Sequence, residues 1–281
     1  MADVKPADVK KLREKTGAGM LDCKKALVEA EGDFAKAEKL LKEQGLAAAA
    51  KRSGRATNEG RIFTKIEADK AGILELACET DFVARNENFI NAGKELIDNI
   101  VDKNLSELTP ELEEQVKLVI SRIKENISLK RFKTIQIAEN EFCMEYIHGE
   151  GGIGVIVKLA AEDKSAFENE KLKEFAFDCA LHIAAFNPLY LSKDSVDEAY
   201  ANEQKEIFMK QAESLDKPEK VLQGIVMGKL NKHFSQICLL EQPFIKDDKT
   251  SLSKVLAAVG KEVGTKLSIS DFAYYKVGEE I

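Results

Sequence analysis

Glycines form the first pattern in this 281-residue chain that could support chemistry. Gly149, Gly151 and Gly154 satisfy the GxGxxG pattern of dinucleotide-binding loops. That pattern binds a pyrophosphate only when a helix follows and directs its N-terminus at the ligand. Here residues 153–157 are mostly valine and isoleucine, which favour a strand. The spacing therefore predicts a glycine-rich hairpin turn instead of a nucleotide loop.

Histidines and cysteines are the other side chains with chemical potential. The three histidines lie in separate segments without the HxxxH or HExxH spacing of metal sites. His182 falls on the apolar face of a predicted helix, where a buried, hydrogen-bonded histidine is the expected role. The five cysteines lie at least 36 residues apart without a CxxC pair, which fits neither a disulfide framework nor zinc spacing. We therefore expect a cytoplasmic protein with no cofactor, no metal and no catalytic residue.

A short polar and aromatic segment, Thr80, Asp81, Phe82 and Val83, lies between a predicted strand and a predicted helix. Thr80 or Asp81 could cap the helical turn that follows. Phe82 could be a core residue, which periodicity alone favours because most phenylalanines are buried. It could also be an aromatic side chain presented to a pocket of a partner. Periodicity does not decide between these two roles.

The elements that must hold these residues begin with three short helices. Gly17, Gly32 and Gly45 are placed where helices end, and Met20 begins the apolar stripe of the second helix. A basic, alanine-rich stretch over 46–55 is predicted as a linker with a helical start.

Two similarly ordered units follow, each with two strands and a helix. The first has strands over 62–68 and 73–78 and a helix over 88–101. The second has strands over 142–148 and 153–160 and a helix over 171–185. A helix over 107–128 is predicted to join them.

The remaining segments complete an α+β protein. Helix formers over 195–234, interrupted near Pro218, predict an antiparallel helical hairpin of coiled-coil type. A helix over 251–260 and a strand over 266–277 close the chain. The predicted division is a three-helix (UBA-like) module with its basic linker at 1–55, two β-hairpin-plus-helix core subdomains at 56–140 and at 141–188 with 237–250, the helical hairpin at 189–236, and a short C-terminal module at 251–281.

Charge limits the classes of partner. The chain carries 42 Lys and Arg against 49 Asp and Glu, a net charge of −7. Residues 1–56 have 13 basic against 9 acidic residues, so this part is +4 and the rest is −11. Acidic residues interleave with the basic ones and tryptophan is absent, which argues against direct binding of duplex or single-stranded nucleic acid. No apolar run approaches the length of a membrane span. The basic part is better suited to an acidic or phosphate-rich patch on another protein.

Three groups of residues carry a resemblance to a known family. The first is LREKTGAGMLDCKKAL at 12–27, the second is ETDFVA at 79–84, and the third combines HIAA at 182–185 and Pro188 with QPF at 242–244. In order and spacing they resemble bacterial translation elongation factor Ts over nearly the whole chain.

That resemblance implies a guanine nucleotide exchange factor for translation elongation factor Tu, without chemistry of its own. It would bind elongation factor Tu in the GDP-bound and nucleotide-free states. In the family the phenylalanine of the TDFV motif enters the GTPase near its magnesium ion and the motif dislocates that ion. The resemblance gives this role to Thr80, Asp81, Phe82 and Val83.

The same resemblance implies further contacts. The N-terminal module would dock on the GTPase domain through Met20 and Leu21, and the second β unit, which includes His182, would contact the far end of elongation factor Tu. The helical hairpin would allow a homodimer. Two alternatives stay open: a ribosome-associated or chaperone-like module that binds without affecting nucleotide kinetics, and an enzyme that uses the GxGxxG run.

Overall fold

The computed structural model describes residues 4–213, 215 and 217–280. The helices are α1 (Pro6–Thr16), α2 (Met20–Glu29), α3 (Phe34–Ala50), α4 (Asp81–Ala84), α5 (Glu87–Asp102), α6 (Pro110–Ile123), α7 (Glu170–Phe186), α8 (Glu198–Glu213), α9 (Glu219–Ile237) and α10 (Leu252–Val263). The strands are β1 (Glu59–Ile66), β2 (Lys70–Cys78), β3 (Ile127–Gln136), β4 (Glu141–His148), β5 (Ile153–Ala161), β6 (Pro243–Phe244), β7 (Asp247–Ser251) and β8 (Leu267–Lys276). The predicted α+β class is confirmed.

The N-terminal helices follow local rules of helix termination. Pro6 occupies the first turn of α1, where a missing backbone N–H costs nothing. Gly17 ends α1 in the left-handed conformation at φ 69°, and its N–H donates to the carbonyl of Arg13. Leu12 and Leu27 are buried between the three helices. The predicted three helices are therefore present.

Gly45 does not end its helix, so that prediction is wrong. Helix α3 continues through Gly45 to Ala50. A Cβ atom at residue 45 would overlap the side chain of Ser121 on α6. Glycine is required here because the two helices approach closely. Beyond it, Ala49 is buried in the apolar core between the first sheet, α5 and α6, which we call the first core cluster. The first part of the predicted linker is thus helix.

The first sheet has the order β1-β2-β3 and is antiparallel throughout. The predicted strand pair is confirmed, but the third strand was missed. The predicted helix over 107–128 is shorter, because Lys124 leaves α6 in the left-handed conformation at φ 72° and the chain then enters β3. Helix α5 covers the sheet with buried residues that include Phe89 and Leu96.

The second sheet has the order β4-β5-β8 and is also antiparallel. Residues 149–151 form the turn between β4 and β5, so the glycine pattern is a hairpin turn as predicted. Strand β8 contributes the third strand, and α10 packs in the same core as α7. Helix α10 and strand β8, which belong to the predicted C-terminal module, therefore lie in the second core unit.

The two units repeat one order of elements. In each, two paired strands lead into a helix, and a later strand then joins the second strand of the pair. Each pairing of second and third strands shifts register once, at Glu75/Leu76 and at Lys158/Leu159. The segment that follows β5 corresponds to the 80–83 segment that follows β2. It contains Phe167, which lies against Phe142 with ring centroids 4.8 Å apart.

The two sheets are packed together. Ile62 and Ile73 of the first sheet share a buried cluster with Ile156 of the second. Glu75 is almost completely buried, accepts from Arg131 Nε at 2.8 Å, and accepts from the N–H of Gly278 at 3.0 Å. This charged hydrogen bond and the apolar cluster fix one unit against the other.

Helices α8 and α9 are the two helices predicted over 195–234, and they pack against each other. Few of their residues are buried, among them Leu230 and Phe234. Tyr200 Oη and His233 Nε2, 2.9 Å apart, link the two helices.

None of the helices in the described part of the chain has both the length and the apolar character that crossing a bilayer requires.

Candidate functional site

The 80–83 segment is a one-turn loop between β2 and α5. Thr80 has extended backbone angles and is the N-cap of α4, and its hydroxyl accepts from the N–H of Val83 at 3.3 Å. The predicted capping role of Thr80 is confirmed. A four-residue helix is too short to be stable by itself, so its position depends on contacts at both ends.

Glu125 holds the first end of this loop. Its Oε1 accepts from the Thr80 hydroxyl at 2.8 Å, and its Oε2 accepts from the Thr80 N–H at 3.1 Å. The Cys78 thiol donates to the Thr80 carbonyl at 3.2 Å. Burial first, and then the Glu125 carboxylate, raise the pKa of Cys78 to about 12. Cys78 therefore stays protonated at neutral pH and serves as a donor, not as a nucleophile.

Arg61 holds the second end. Its Nε donates to the carbonyl of Ala84, the last residue of α4, at 2.6 Å. Arg85 Nε lies 3.4 Å from Glu150 in the turn between β4 and β5. Asn86 then caps α5 by accepting from the N–H of Asn88. The loop is thus attached to β1, to the second unit and to the start of α5.

Phe82 is exposed over 82% of its surface, so the core role that periodicity favours is wrong. Its neighbour Val83 packs against the first core cluster and Ala84 is buried there. Within one helical turn, the loop buries its small apolar residues and directs its largest one outward. An exposed phenylalanine on a loop held at both ends is typical of a binding surface.

A charged cleft lies beside the loop. It has a volume of about 490 Å³ and is lined by residues of both units, among them Asp81, Arg61 and Glu150. Arg61 and Arg85 both approach Glu150 in this cleft. These ion pairs connect the end of the loop to the turn between β4 and β5.

Met20 and Leu21 begin α2 and are exposed over 47% and 73% of their surfaces. Met20 therefore does not belong to the buried stripe that its spacing predicts, although Cys23 and Leu27 do. Asp22, the next residue, lies 3.9 Å from Lys124 at the end of α6. The structure thus brings the start of α2 next to the segment that holds Thr80.

His182 is completely buried in α7. Its Nδ1 accepts from the N–H of Ile245 at 3.2 Å, and its Nε2 lies 2.9 Å from Gln242 Oε1, which requires a proton on Nε2. Burial lowers the pKa of His182, which keeps this neutral tautomer. The predicted hydrogen-bonded core role is confirmed. Since no surface is exposed, His182 offers no contact surface in this conformation, in contrast to the partner contact that the resemblance implies.

A family model for elongation factor TS matches residues 79–279. The chain belongs to the elongation factor Ts family. The elongation factor Ts of Treponema denticola is 49% identical over 276 residues, which covers 98% of this chain and 99% of the relative. That of Borreliella burgdorferi is 47% identical over 279 residues, which covers 99% and 100%. That of Borrelia hermsii is 46% identical over 276 residues, which covers 98% and 99%. The resemblance at the level of the family is thereby confirmed.

Elongation factor Ts membership locates the candidate site within the matched region. The match includes the 80–83 loop, strand β3, the second sheet and α8 and α9, whereas β1 and β2 precede it. The N-terminal helices precede it but lie within the near full-length alignments. Within the described residues, no group of three or more His, Cys, Asp or Glu side chains could hold a metal ion.

Glu125 and Arg61 are the site residues that sequence reasoning missed. They lie 45 and 23 residues from their partners in the loop. Neither belongs to a motif, and both are ordinary surface residue types. A signal for Glu125 arises once β3 is placed beside β2, because the end of α6 must then lie next to the end of β2.

Proposed function

We propose that this chain is a guanine nucleotide exchange factor for translation elongation factor Tu, with no reaction chemistry of its own. Membership of the elongation factor Ts family supports the assignment. The observation that carries it is the 82% exposure of Phe82 on a loop that Glu125 and Arg61 hold at both ends. A binding surface of this kind needs no general base, nucleophile or metal of its own.

The proposed mechanism follows from the way a P-loop GTPase binds GDP. Backbone amides, a lysine and a magnesium ion neutralise the phosphates, so dislocation of the ion leaves phosphate charge uncompensated. Nucleotide affinity must then fall. By linkage, the exchange factor lowers GDP affinity by the same factor by which GDP lowers the affinity of the exchange factor. The ternary complex is therefore transient, and both the GDP-bound and the nucleotide-free GTPase are binding partners.

The 80–83 loop is the element that we assign to this step. Phe82 would enter an apolar crevice of the GTPase near the magnesium site, and Asp81 would lie beside it. Thr80 and Val83 would not contact the ion but would hold the turn, by the cap and by packing respectively. Since the loop is already ordered, little conformational entropy is lost when the complex forms.

The N-terminal module would dock near the bound nucleotide. Its balance of +4 suits a phosphate-rich neighbourhood, and the exposed Met20 and Leu21 would supply apolar contacts. His182 would act indirectly, because it accepts from the N–H of Ile245, whose own side chain is 40% exposed. We assign the successive parts of the contact to the modules at 1–55, at 56–140 and at 141–188 with 237–250.

Release of a fluorescent GDP analogue from elongation factor Tu tests the proposal. Sub-stoichiometric amounts of this protein should accelerate release many-fold, because each molecule acts repeatedly. If release stays at the spontaneous rate over a wide concentration range while binding is detected, the protein is a binding module without exchange activity. Titration of GDP against this protein alone should give no binding; saturable binding would favour a nucleotide-dependent enzyme.

A further inference from the structure

We propose that Glu125 is a positioning residue that sets the orientation of the 80–83 loop. The inference rests on the proposed function, since it concerns how Phe82 is aimed at the GTPase. Glu125 itself is half-buried and lies behind the loop, so its effect on a partner would be transmitted through Thr80.

The geometry of Glu125 is specific. Lys124 adopts the left-handed conformation at φ 72°, and this turn directs the following carboxylate to the end of β2. Both oxygens of the carboxylate are used, one by the Thr80 hydroxyl and one by the Thr80 N–H. Bidentate acceptance by a charged group fixes a donor in direction as well as in distance. Thr80 then caps the turn that carries Phe82.

The two residues beside Glu125, Lys124 and Asn126, contact other parts of the chain. The N–H of Asn126 donates to Glu79 Oε1 at 2.6 Å, and its side-chain amide donates to the carbonyl of Arg55 at 2.7 Å. Lys124 Nζ lies 3.9 Å from Asp22 in α2. Three consecutive residues therefore contact the start of the loop, the chain that follows α3, and the helix that begins with Met20 and Leu21. We name residues 124–126 the junction.

The junction connects the two parts of the chain to which partner contacts are assigned. Helix α3 packs closely on α6 where Gly45 meets Ser121, and α6 ends at the junction. A partner that contacts both α2 and Phe82 would thus bind a surface of two parts, and the junction contacts both of them. Loss of the Glu125 carboxylate leaves the Thr80 N–H without its acceptor, and the loop must shift or admit water.

The test compares three variants in the GDP-release assay. Glu125→Ala should lower kcat/KM about ten-fold, the size expected for loss of one charged, half-buried hydrogen-bonding group. Glu125→Gln should stay within about three-fold of the parent, because its amide oxygen accepts from the Thr80 N–H and its amide nitrogen donates to the Thr80 hydroxyl oxygen. Glu113→Ala is the matched control, because Glu113 is an exposed glutamate of α6 that pairs with Lys117. This variant should leave kcat/KM unchanged.

A double-mutant cycle separates positioning from a general loss of structure. If Glu125 acts through Phe82, then Glu125→Ala should cause no further loss in a Phe82→Ala background. Full additivity, or a Glu125→Ala variant within two-fold of the parent, would overturn the inference while leaving the proposed function intact. If Phe82→Ala alone leaves exchange unchanged, the proposed role of the loop fails, and the inference fails with it.

Folding is controlled in the same experiment. Thermal unfolding of each variant is measured before the assay. Should Glu125→Ala not fold, Glu125→Asp carries the test, because it keeps the charge but is one methylene too short to reach both Thr80 groups. It should then lose several-fold in kcat/KM, and parent-like exchange by this variant would equally overturn the inference.

Discussion

Replacing Phe82 with alanine removes an aromatic ring that the folded protein leaves in solvent. Truncation of a buried phenylalanine costs about 3 to 5 kcal/mol, mostly through lost burial and a residual cavity. With 82% of its surface exposed, Phe82 provides little of either. We therefore expect a change in the free energy of unfolding within about 0.5 kcal/mol, which is typical of surface positions.

The effect on exchange should be much larger. Complete burial of a phenylalanine side chain contributes about 1.5 to 3 kcal/mol relative to solvent. The 82% of the surface that is free to be buried by a partner corresponds to roughly 1.2 to 2.5 kcal/mol. Since about 1.4 kcal/mol is a factor of ten, kcat/KM for GDP release should fall roughly 7- to 60-fold.

The assay follows release of a fluorescent GDP analogue at several concentrations of each variant, together with thermal unfolding. Phe89→Ala provides the stability scale, because Phe89 is seven positions away and completely buried. That variant should lose roughly 6 to 20 °C in Tm, against about 2 °C or less for Phe82→Ala. Exchange within two-fold of the parent, or a loss of Tm comparable to that of Phe89→Ala, would refute the reasoning.

Three further predictions concern other parts of the chain. Leu21→Ser should weaken binding to elongation factor Tu by roughly five- to thirty-fold in calorimetric titration, because Leu21 is 73% exposed and apolar. Gly45→Leu should destabilise the protein by about 1 to 3 kcal/mol in urea unfolding, because the new side chain overlaps Ser121. Unfolding free energy should fall as pH drops below about 6.5, since burial lowers the pKa of His182 and the unfolded chain alone takes up that proton; His182→Gln should flatten this dependence.

Each has an outcome that would contradict it. Unchanged affinity for Leu21→Ser, with the fold intact, would remove the start of α2 from the interface. A Gly45→Leu variant as stable as the parent would mean that α3 and α6 separate without cost. Equal pH dependence in His182→Gln and the parent would assign the acid sensitivity to other groups. Leu108→Ala, which truncates an exposed leucine in the loop between α5 and α6, serves as a control for the first of these.

Local patterns predicted the elements whose ends depend on one or two residues. Pro6 and Gly17 define α1 because the missing N–H of proline and the positive φ of glycine are local properties. The hairpin at Gly149 was predictable for the same reason. Gly45 shows the limit of this reasoning, because a glycine that ends a helix and a glycine that admits a neighbouring helix look the same in a sequence.

The geometry of the site depends on contacts between distant residues. Strand β3 was missed, and with it the position of Glu125, whose contact with Thr80 spans 45 residues. The exposure of Phe82 was not predictable from periodicity, because it results from the anchoring of Val83 and Ala84 on the core. The resemblance identified the loop, whereas the residues that hold it became visible only in the fold.

The repeated units treat their loop aromatics in opposite ways. After β2, Phe82 is exposed, whereas after β5 the corresponding loop keeps Phe167 against Phe142. A framework that occurs twice therefore offers one aromatic side chain to a partner at these two loops. Although the two units share one order of elements, only one of their loops presents an aromatic side chain for binding. The expected stoichiometry at this site is therefore one GTPase for each chain.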